Sequence, residues 1–292
     1  MVSHFMVSHF CSRRLGDAMV LGGLGICTAA IIIMFASSAH AQTATPGQRE
    51  IIREQVNPQT EDPLKPWLGG NWQIGAFGQI SSNPYRGADS TDLDALPVLA
   101  YDAERLRIGI DGIDAKVWMN DFASVSIIGG LRMEPFDPGD SSYLNGLEKR
   151  DMAYEAGIGG SLRVWHGELQ ASYQTDLNNA HGGHEVDVAY YLPTEYEKFS
   201  FNVGGGVTWQ SEDLVDYNVG VRRNEVRSDR GFYSPDATFI PHLDFSVTYP
   251  VTESFAVVGT TDVKFLLDEY TDSPIIDEDY VLSAGLVLVY TF

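Results

Sequence analysis

The sequence predicts an all-β protein: a transmembrane antiparallel up-and-down β-barrel of about twelve strands, preceded by a cleaved signal peptide. Three observations carry that expectation. Apolar and polar residues alternate with a period of two over segments long enough to cross a bilayer, the apolar faces end in aromatic residues, and the chain opens with an export signal. Composition agrees, because a mean hydropathy of −0.11 is too polar for a bundle of membrane helices, while 14 Tyr, 14 Phe, 5 Trp and 29 Gly suit a barrel.

Residues 1–41 read as the signal peptide. Met19 to Ala36 is apolar, follows Arg13 and Arg14, and leads to Ala39-His40-Ala41, an A-x-A cleavage pattern before Gln42. An uncleaved anchor is the competing reading, since about 18 apolar residues is the lower limit for spanning. Cys11 and Cys27 are the two cysteines and both lie in this leader, so the exported part has no disulfide and no cysteine-ligated metal. The formal charge of −21 becomes −22 beyond residue 41, because Arg13 and Arg14 outweigh Asp17 before it. Such a surface repels phosphate and excludes a nucleic-acid partner. Residues 42–70 carry Pro46, Pro58, Pro63 and Pro66 among polar residues and read as a periplasmic linker.

Residues 71–292 form the barrel. Alternation places strands at 72–80, 94–102, 104–111, 113–119, 122–132, 151–163, 165–176, 184–193, 197–210, 236–249, 253–267 and 280–292. Residues 104–119 also fit one strand with a bulge at Gly112, which would change the count. No helical periodicity stands out after residue 71. Tight connections fall near Val164, Thr194 to Glu197 and Pro250 to Thr252, on the periplasmic side. Longer loops at 81–93, 133–150, 211–235 and 268–279 fall outside. The last strand is the clearest. Tyr280, Leu282, Ala284, Leu286, Leu288, Tyr290 and Phe292 share one face, and ten steps of ~3.3 Å tilted by ~40° climb ~25 Å, the height of an outer-membrane apolar band. Tyr280, Leu282, Leu286, Leu288, Tyr290 and Phe292 are therefore assigned to lipid. Gly285, on the opposite face, reads as a permissive position.

The same parity sends Glu155, Arg163, His166, Glu168, Glu185, Asp187, His242, Asp244, Asp262 and Lys264 to the lumen. Twelve strands enclose a narrow interior that side chains largely fill, and any remaining passage would favour cations. His181-Gly182-Gly183-His184-Glu185 with Asp176 offers metal-ligand types, but two glycines more simply make a turn, and no metal is expected. His242, Asp244 and Ser246 invite a hydrolase reading, opposed by the roughly 7 Å between alternate strand residues. Arg222, Arg223, Arg227 and Arg230 in the 211–235 loop could meet lipopolysaccharide phosphates, fold onto lumen carboxylates, or stay solvated.

Several segments resemble the family of MltA-interacting proteins and OmpV-like outer-membrane proteins, in order from about Trp72 to Phe292. The most telling is Asp268-Glu269-Tyr270-Thr271-Asp272-Ser273-Pro274-Ile275-Ile276 before a final strand ending Tyr290-Thr291-Phe292, with Asp272, Ser273 and Pro274 as the motif. Supporting pieces are Asn83-Pro84-Tyr85-Arg86-Gly87, Leu96-Pro97-Val98 with Tyr101, His181-Gly182-Gly183-His184, and Tyr217 with Gly220-Val221. The resemblance implies a Gram-negative outer-membrane protein without cofactor or catalysis. For the founding member it implies a scaffold joining a lytic transglycosylase to a bifunctional murein synthase, a penicillin-binding protein. Outer-membrane lipid, lipopolysaccharide and the barrel assembly machinery, acting on the C-terminal strand, complete the implied partners. A narrow cation-preferring pore and a surface adhesin acting through its loops are the alternatives. The tight turns are too short to grip a partner, so a scaffold would use the 42–70 linker, where Ile51, Ile52 and Pro66-Trp67-Leu68 supply apolar anchors.

The leader assignment predicts that N-terminal sequencing of the membrane-extracted protein begins at Gln42. Recovery of an intact Met19–Ala36 segment would establish the anchor instead.

Overall fold

The structure, a computed structural model, describes residues 64–109 and 112–292. The leader, its cleavage site and residues 42–63 of the linker lie outside the described residues. Twelve antiparallel strands form a closed barrel in which each pairs with its chain neighbours and the first pairs with the last. They are β1 (Asn71–Ser82), β2 (Thr91–Asp102), β3 (Leu106–Gly109), β4 (Gly112–Met119), β5 (Ala123–Arg132), β6 (Ala153–Val164), β7 (Gly167–Asp176), β8 (His184–Tyr196), β9 (Phe199–Gln210), β10 (Thr238–Pro250), β11 (Phe255–Phe265) and β12 (Tyr280–Thr291). Closure runs from Gln73↔Thr291 to Ser81↔Ser283. In lipid an open sheet edge has no water to satisfy it, so this last ladder is what lets the sheet span at all.

The expected alternation appears as burial. On β12 Val281, Ser283, Val287 and Val289 are buried, while Tyr280, Leu282, Leu286, Leu288, Tyr290 and Phe292 are exposed. Ile74, Ile80, Ile127, Ile158, Val203 and Leu243 are likewise exposed on neighbouring strands. An apolar belt of this extent marks a surface made for a membrane. Aromatic rings gather where it ends, with Phe199 and Tyr249 centred 4.9 Å apart and Tyr290 and Phe292 5.0 Å apart. Both described chain ends and the tight turns share that rim, Phe292 N–H donating to the Trp72 carbonyl at 2.9 Å. Short turns and chain ends mark the periplasmic side and long loops the extracellular side.

Residues 104–119 form two strands. Gly112, at φ +113°, starts the second, and a Cβ there would run into the Gly129 carbonyl oxygen. A register shift between Lys116 and Trp118 then bends β4. Other boundaries move. β2 begins earlier, at Thr91, and β8 runs on to Tyr196, because Pro193 is accommodated opposite Asn202 near the rim. The β6–β7 turn is formed by Trp165 and His166, with Trp165 at φ 53° and 90% exposed. His166 is therefore a solvent-exposed turn residue, not a lumen residue, because a two-residue hairpin consumes the position that parity assigned to the strand. Helices also occur where none was expected: α1 (Lys65–Leu68), α2 (Glu212–Val219) and α3 (Asp268–Thr271). In α2 Glu212 and Asp213 occupy the first turn, where the helix dipole favours acids.

Face assignment predicts that Leu286→Arg lowers stability in vesicles by ~2 to 4 kcal/mol, read by denaturant titration. Gly285 is not the permissive position that parity suggests, since an added Cβ would lie 2.7 Å from Thr260 Oγ1 and 3.0 Å from Phe77. Ser172→Ala, on the lumen face of β7, is the appropriate control, and equal tolerance of both substitutions would reverse the faces.

Candidate functional site

The functional candidate is the lumen together with the loops above it. Arg132, at the extracellular end of β5, is fully buried. Its Nε donates to Glu155 Oε1 at 2.6 Å, and Nη2 donates to Glu155 Oε2 at 3.2 Å and Glu185 Oε2 at 3.1 Å. His181 Nε2 lies 3.1 Å from Glu155 Oε1. From Glu185 a relay climbs out of the barrel. Gln210 donates to Glu185 at 2.9 Å, the Tyr270 hydroxyl to Gln210 Oε1 at 2.6 Å, Asn218 Nδ2 to the Tyr270 oxygen at 2.8 Å, and the Tyr85 hydroxyl to the Asn218 carbonyl at 3.0 Å. The relay thereby gives most of these buried polar groups a partner, as the low dielectric of the interior favours, though Arg132 Nη1 and Asn218 Oδ1 are left without one.

A second cluster centres on His242. Its Nδ1 lies 2.7 Å from Asp244 Oδ2 and its Nε2 3.0 Å from Asp187 Oδ2, while the Thr208 hydroxyl donates to the same Asp187 oxygen at 2.7 Å. The backbone opposite must be bare to admit these groups. A Cβ on Gly206 would sit 2.6 Å from His242 Nε2, and one on Gly204 would strike the Tyr191 ring. The contact between His242 and Asp244 corrects the 7 Å argument, because side chains lean along a strand and close the gap between Cα atoms. Two acceptor carboxylates occupy both ring nitrogens, so neither nitrogen is left to act as a base toward Ser246. The ring is a staple between β8 and β10.

Above the lumen the loops fold on one another. Tyr85, Phe136, Leu144, Val215, Val219, Val221, Ile275 and Ile276 pack as one buried apolar cluster. Arg150 fastens it, donating from Nη1 to Glu225 Oε1 at 2.9 Å, from Nη2 to the Gly220 carbonyl at 3.1 Å and from Nε to the Tyr217 carbonyl at 3.3 Å. Glu225 also accepts from the Arg222 and Glu148 N–H groups. Burial works to raise the Glu225 pKa, but the hydrogen bonds from Arg150 and these two amides outweigh it and hold the carboxyl below the ordinary glutamate range.

The expected loop arginines find partners within this cap, Arg222 and Arg223 while remaining exposed to solvent. Arg230 is buried and donates to the Glu225 and Tyr143 carbonyls, Arg222 pairs with Glu148 at 2.6 Å, Arg227 pairs with Asp229 at 2.6 Å, and Arg223 covers Phe232 at 4.6 Å. None of these partners is a lumen carboxylate. The histidine pair separates as well. His181 turns inward, whereas His184 lies outward, 2.8 Å from the Tyr173 hydroxyl, so the two imidazoles do not converge. Asp176 accepts the His181 and Gly182 amides and closes a turn in which Gly182 has φ +68°. Glu155, Glu185, Asp187, His242, Asp262 and Lys264 are all buried within the barrel. Arg163 and Glu168 face each other in register beside the periplasmic turn, where Arg163 is exposed and Glu168 accepts from Gln170.

The Asp272-Ser273-Pro274 segment lies in the same cap, where the Ser273 hydroxyl donates to the Val219 carbonyl at 2.6 Å. Asn83 accepts the Tyr85 amide, and Arg86 pairs with Asp277 at 2.6 Å. A family model described as MltA-interacting protein MipA matches residues 74–292. The chain belongs to that family. Two relatives are the MltA-interacting protein of Escherichia coli K12, 27% identical over 76% of this chain and 91% of the relative, and Omp26La of Vibrio anguillarum, 23% identical over 76% and 87%. Among solved structures, the NanC porin aligns with a TM-score of 0.39 and 10% identity over 75% of this chain and 100% of that one. With relatives named as outer-membrane proteins and a closed barrel of its own, this MipA-family chain is an outer-membrane protein. The segments that carry the family resemblance at 83–87, 181–184, 217–221 and 268–276 meet in its cap.

Sequence reasoning missed Arg132, Arg150 and Glu225. Arg132 was available from strand parity, being even-numbered like Ser124 and Ser126 on β5. The pair of Arg150 and Glu225 joins two loops and has no local signal.

Arg150→Ala leaves Glu225 buried without its counter-charge, a loss of ~3 to 5 kcal/mol for a buried pair. The cap should open to protease within residues 133–152 and 211–237 while the barrel stays intact on gels. A lowered Glu225 pKa stabilises the cap fully above the unfolded value of about 4.3, and that contribution fades as pH falls through the folded value. Protection factors of cap amides, corrected for the intrinsic pH dependence of exchange, should therefore stay constant from neutral pH down to that range and fall below it, and Glu225→Gln should remove the acid-side change.

Proposed function

We propose that this MipA-family protein is a non-catalytic, non-conducting scaffold in the outer membrane. It holds a lytic transglycosylase and a penicillin-binding murein synthase at the inner surface of that membrane. The observation that carries the reading is the packed outer end. A cap with its own apolar core, tied by Tyr85, Tyr270 and Gln210 to ion pairs inside the lumen, favours work at a surface over passage of solute. The E. coli relative's name, MltA-interacting protein, supports the choice of partner.

The periplasmic rim offers a place to dock. Helix α1 is anchored there by the Arg105 amide donating to the Pro66 carbonyl at 2.8 Å and the Gly70 amide donating to the Tyr101 hydroxyl at 2.9 Å. Its Leu64 and Leu68 are 56% and 64% exposed. Two leucines held on a fixed rim beside the linker form an apolar handle. In the same reading β12 is the strand presented to the barrel assembly machinery, and lipopolysaccharide surrounds the cap.

Leu64→Asp with Leu68→Asp, or deletion of residues 44–63, should leave the barrel folded and abolish co-purification of the transglycosylase or the synthase from cross-linked cells. Planar bilayers should show little steady conductance. Stable cation-selective channels, with partners retained by both variants, would replace the scaffold by the pore.

A further inference from the structure

A cleft of about 350 Å³ opens on the solvent side of the cap, between α2, the 3-10 turn Arg223–Glu225 and the β7–β8 loop. That volume falls in the range of small-molecule sites, ~300 to 1,000 Å³. Glu212, Asp213 and Asp216 enter the cleft from α2, and Arg222, Arg223 and Phe232 from the chain that follows. The helix has to present its acids here. Burying Leu214, Val215 and Val219 in the cap turns Glu212, Asp213 and Asp216 to the remaining face. A Cβ on Gly220 would strike the Asp216 carboxylate, so the glycine gives that acid its room.

The charges in the cleft are uncommitted, unlike those around it. Arg86 pairs with Asp277, Arg150 with Glu225, Arg222 with Glu148 and Arg227 with Asp229, and Arg230 is held by backbone carbonyls. Arg223 differs. Among the described residues its guanidinium has one partner, the face of Phe232 at 4.6 Å. Stacking fixes the plane of the group and leaves its N–H edge directed to no protein acceptor. The carboxylates of Glu212, Asp213 and Asp216 likewise make no hydrogen bond or ion pair with a described residue. Burial raises the Asp216 pKa above the ordinary aspartate range, and the charges of Arg150 and Arg222 offset this only in part. A half-buried acid without its own counter-ion, in a cleft, is a place for a cation.

Three uncommitted carboxylates against one uncommitted arginine leave an excess of negative charge. A phosphate, free or on a lipid headgroup, would be repelled by it. A single metal ion fits no better, because among the described residues no three acidic or imidazole groups lie near enough to share one. Separated charges call for a ligand whose own charges are separated. A guanidinium laid flat on a ring takes a carboxylate through two parallel hydrogen bonds, and the acids take ammonium groups.

We infer that the cleft binds a basic α-amino acid from the external medium, with the ligand carboxylate on Arg223 and its two cationic groups on the acids of α2. The inference stands apart from the scaffold reading, since it concerns the outer face of the cap and its test needs no periplasmic partner.

The test titrates the full-length protein, extracted from outer membranes in detergent, with L-lysine in a calorimeter at neutral pH and low salt. L-Norleucine lacks the side-chain ammonium and cadaverine lacks the carboxylate. The expected result is saturable binding of L-lysine, with either simpler ligand weaker by about tenfold or more. Arg223→Gln should weaken L-lysine by about the same factor and leave cadaverine unchanged, whereas Asp216→Asn should weaken both. Protease resistance of the cap checks that each variant folds, and the ligand series on the unaltered protein decides the matter if one does not. Absence of saturable L-lysine binding would overturn the proposal. So would equal affinity for L-lysine and cadaverine, which would reduce the cleft to an acidic patch, or saturable binding of inorganic phosphate lost in Arg223→Gln, which would make it an anion site.

Discussion

A backbone amide in hydrocarbon has no water to fall back on, and the ladder between β1 and β12 is the consequence on which the rest of this protein depends. Once Gln73 through Ser81 take Thr291 through Ser283 as partners, the sheet has an inside and an outside, and parity assigns every strand residue to one of them. Lipid then selects what is large and apolar on the outer face. The inner face is relieved of that selection, which is why Glu155, Glu185 and Asp187 can stand on the same strands as Ile158, Val186 and Val188.

Buried charge is costly, and the lumen lowers the cost by never leaving a charge alone. Arg132 serves two glutamates and His242 two aspartates. These clusters add little net stability compared with well-packed apolar residues. Their effect is positional: a relay through Gln210, Tyr270, Asn218 and Tyr85 fixes the loops to the barrel. The segments that resemble the family lie mainly at that junction.

Much of this was legible in the residues and the remainder failed for identifiable reasons. A period of two is a local property, so strand number, faces and the long loops could be read from neighbours in sequence. His166 was misplaced because alternation cannot tell the last strand position from the first turn position. The helix at Glu212–Val219 escaped because eight residues are too few to establish a helical period against flanking strands. The arginines of the 211–235 loop were read as unusual with their destination left open, and the pairing of Arg150 with Glu225 escaped because the two lie in loops far apart in the chain. Separation along the chain, more than residue type, set the limit.

The closing ladder also sets a schedule. Its partners stand at opposite ends of the barrel sequence, so the sheet cannot be completed until the final strand has arrived, and such high contact order makes assembly slow. Throughout that wait every Ile, Val and Phe destined for lipid is exposed to water, the condition under which chains aggregate. The −22 charge carried beyond residue 41, which has no evident use in a finished barrel, keeps waiting chains apart by mutual repulsion. It acts as the solubility of a protein that has not yet reached its solvent.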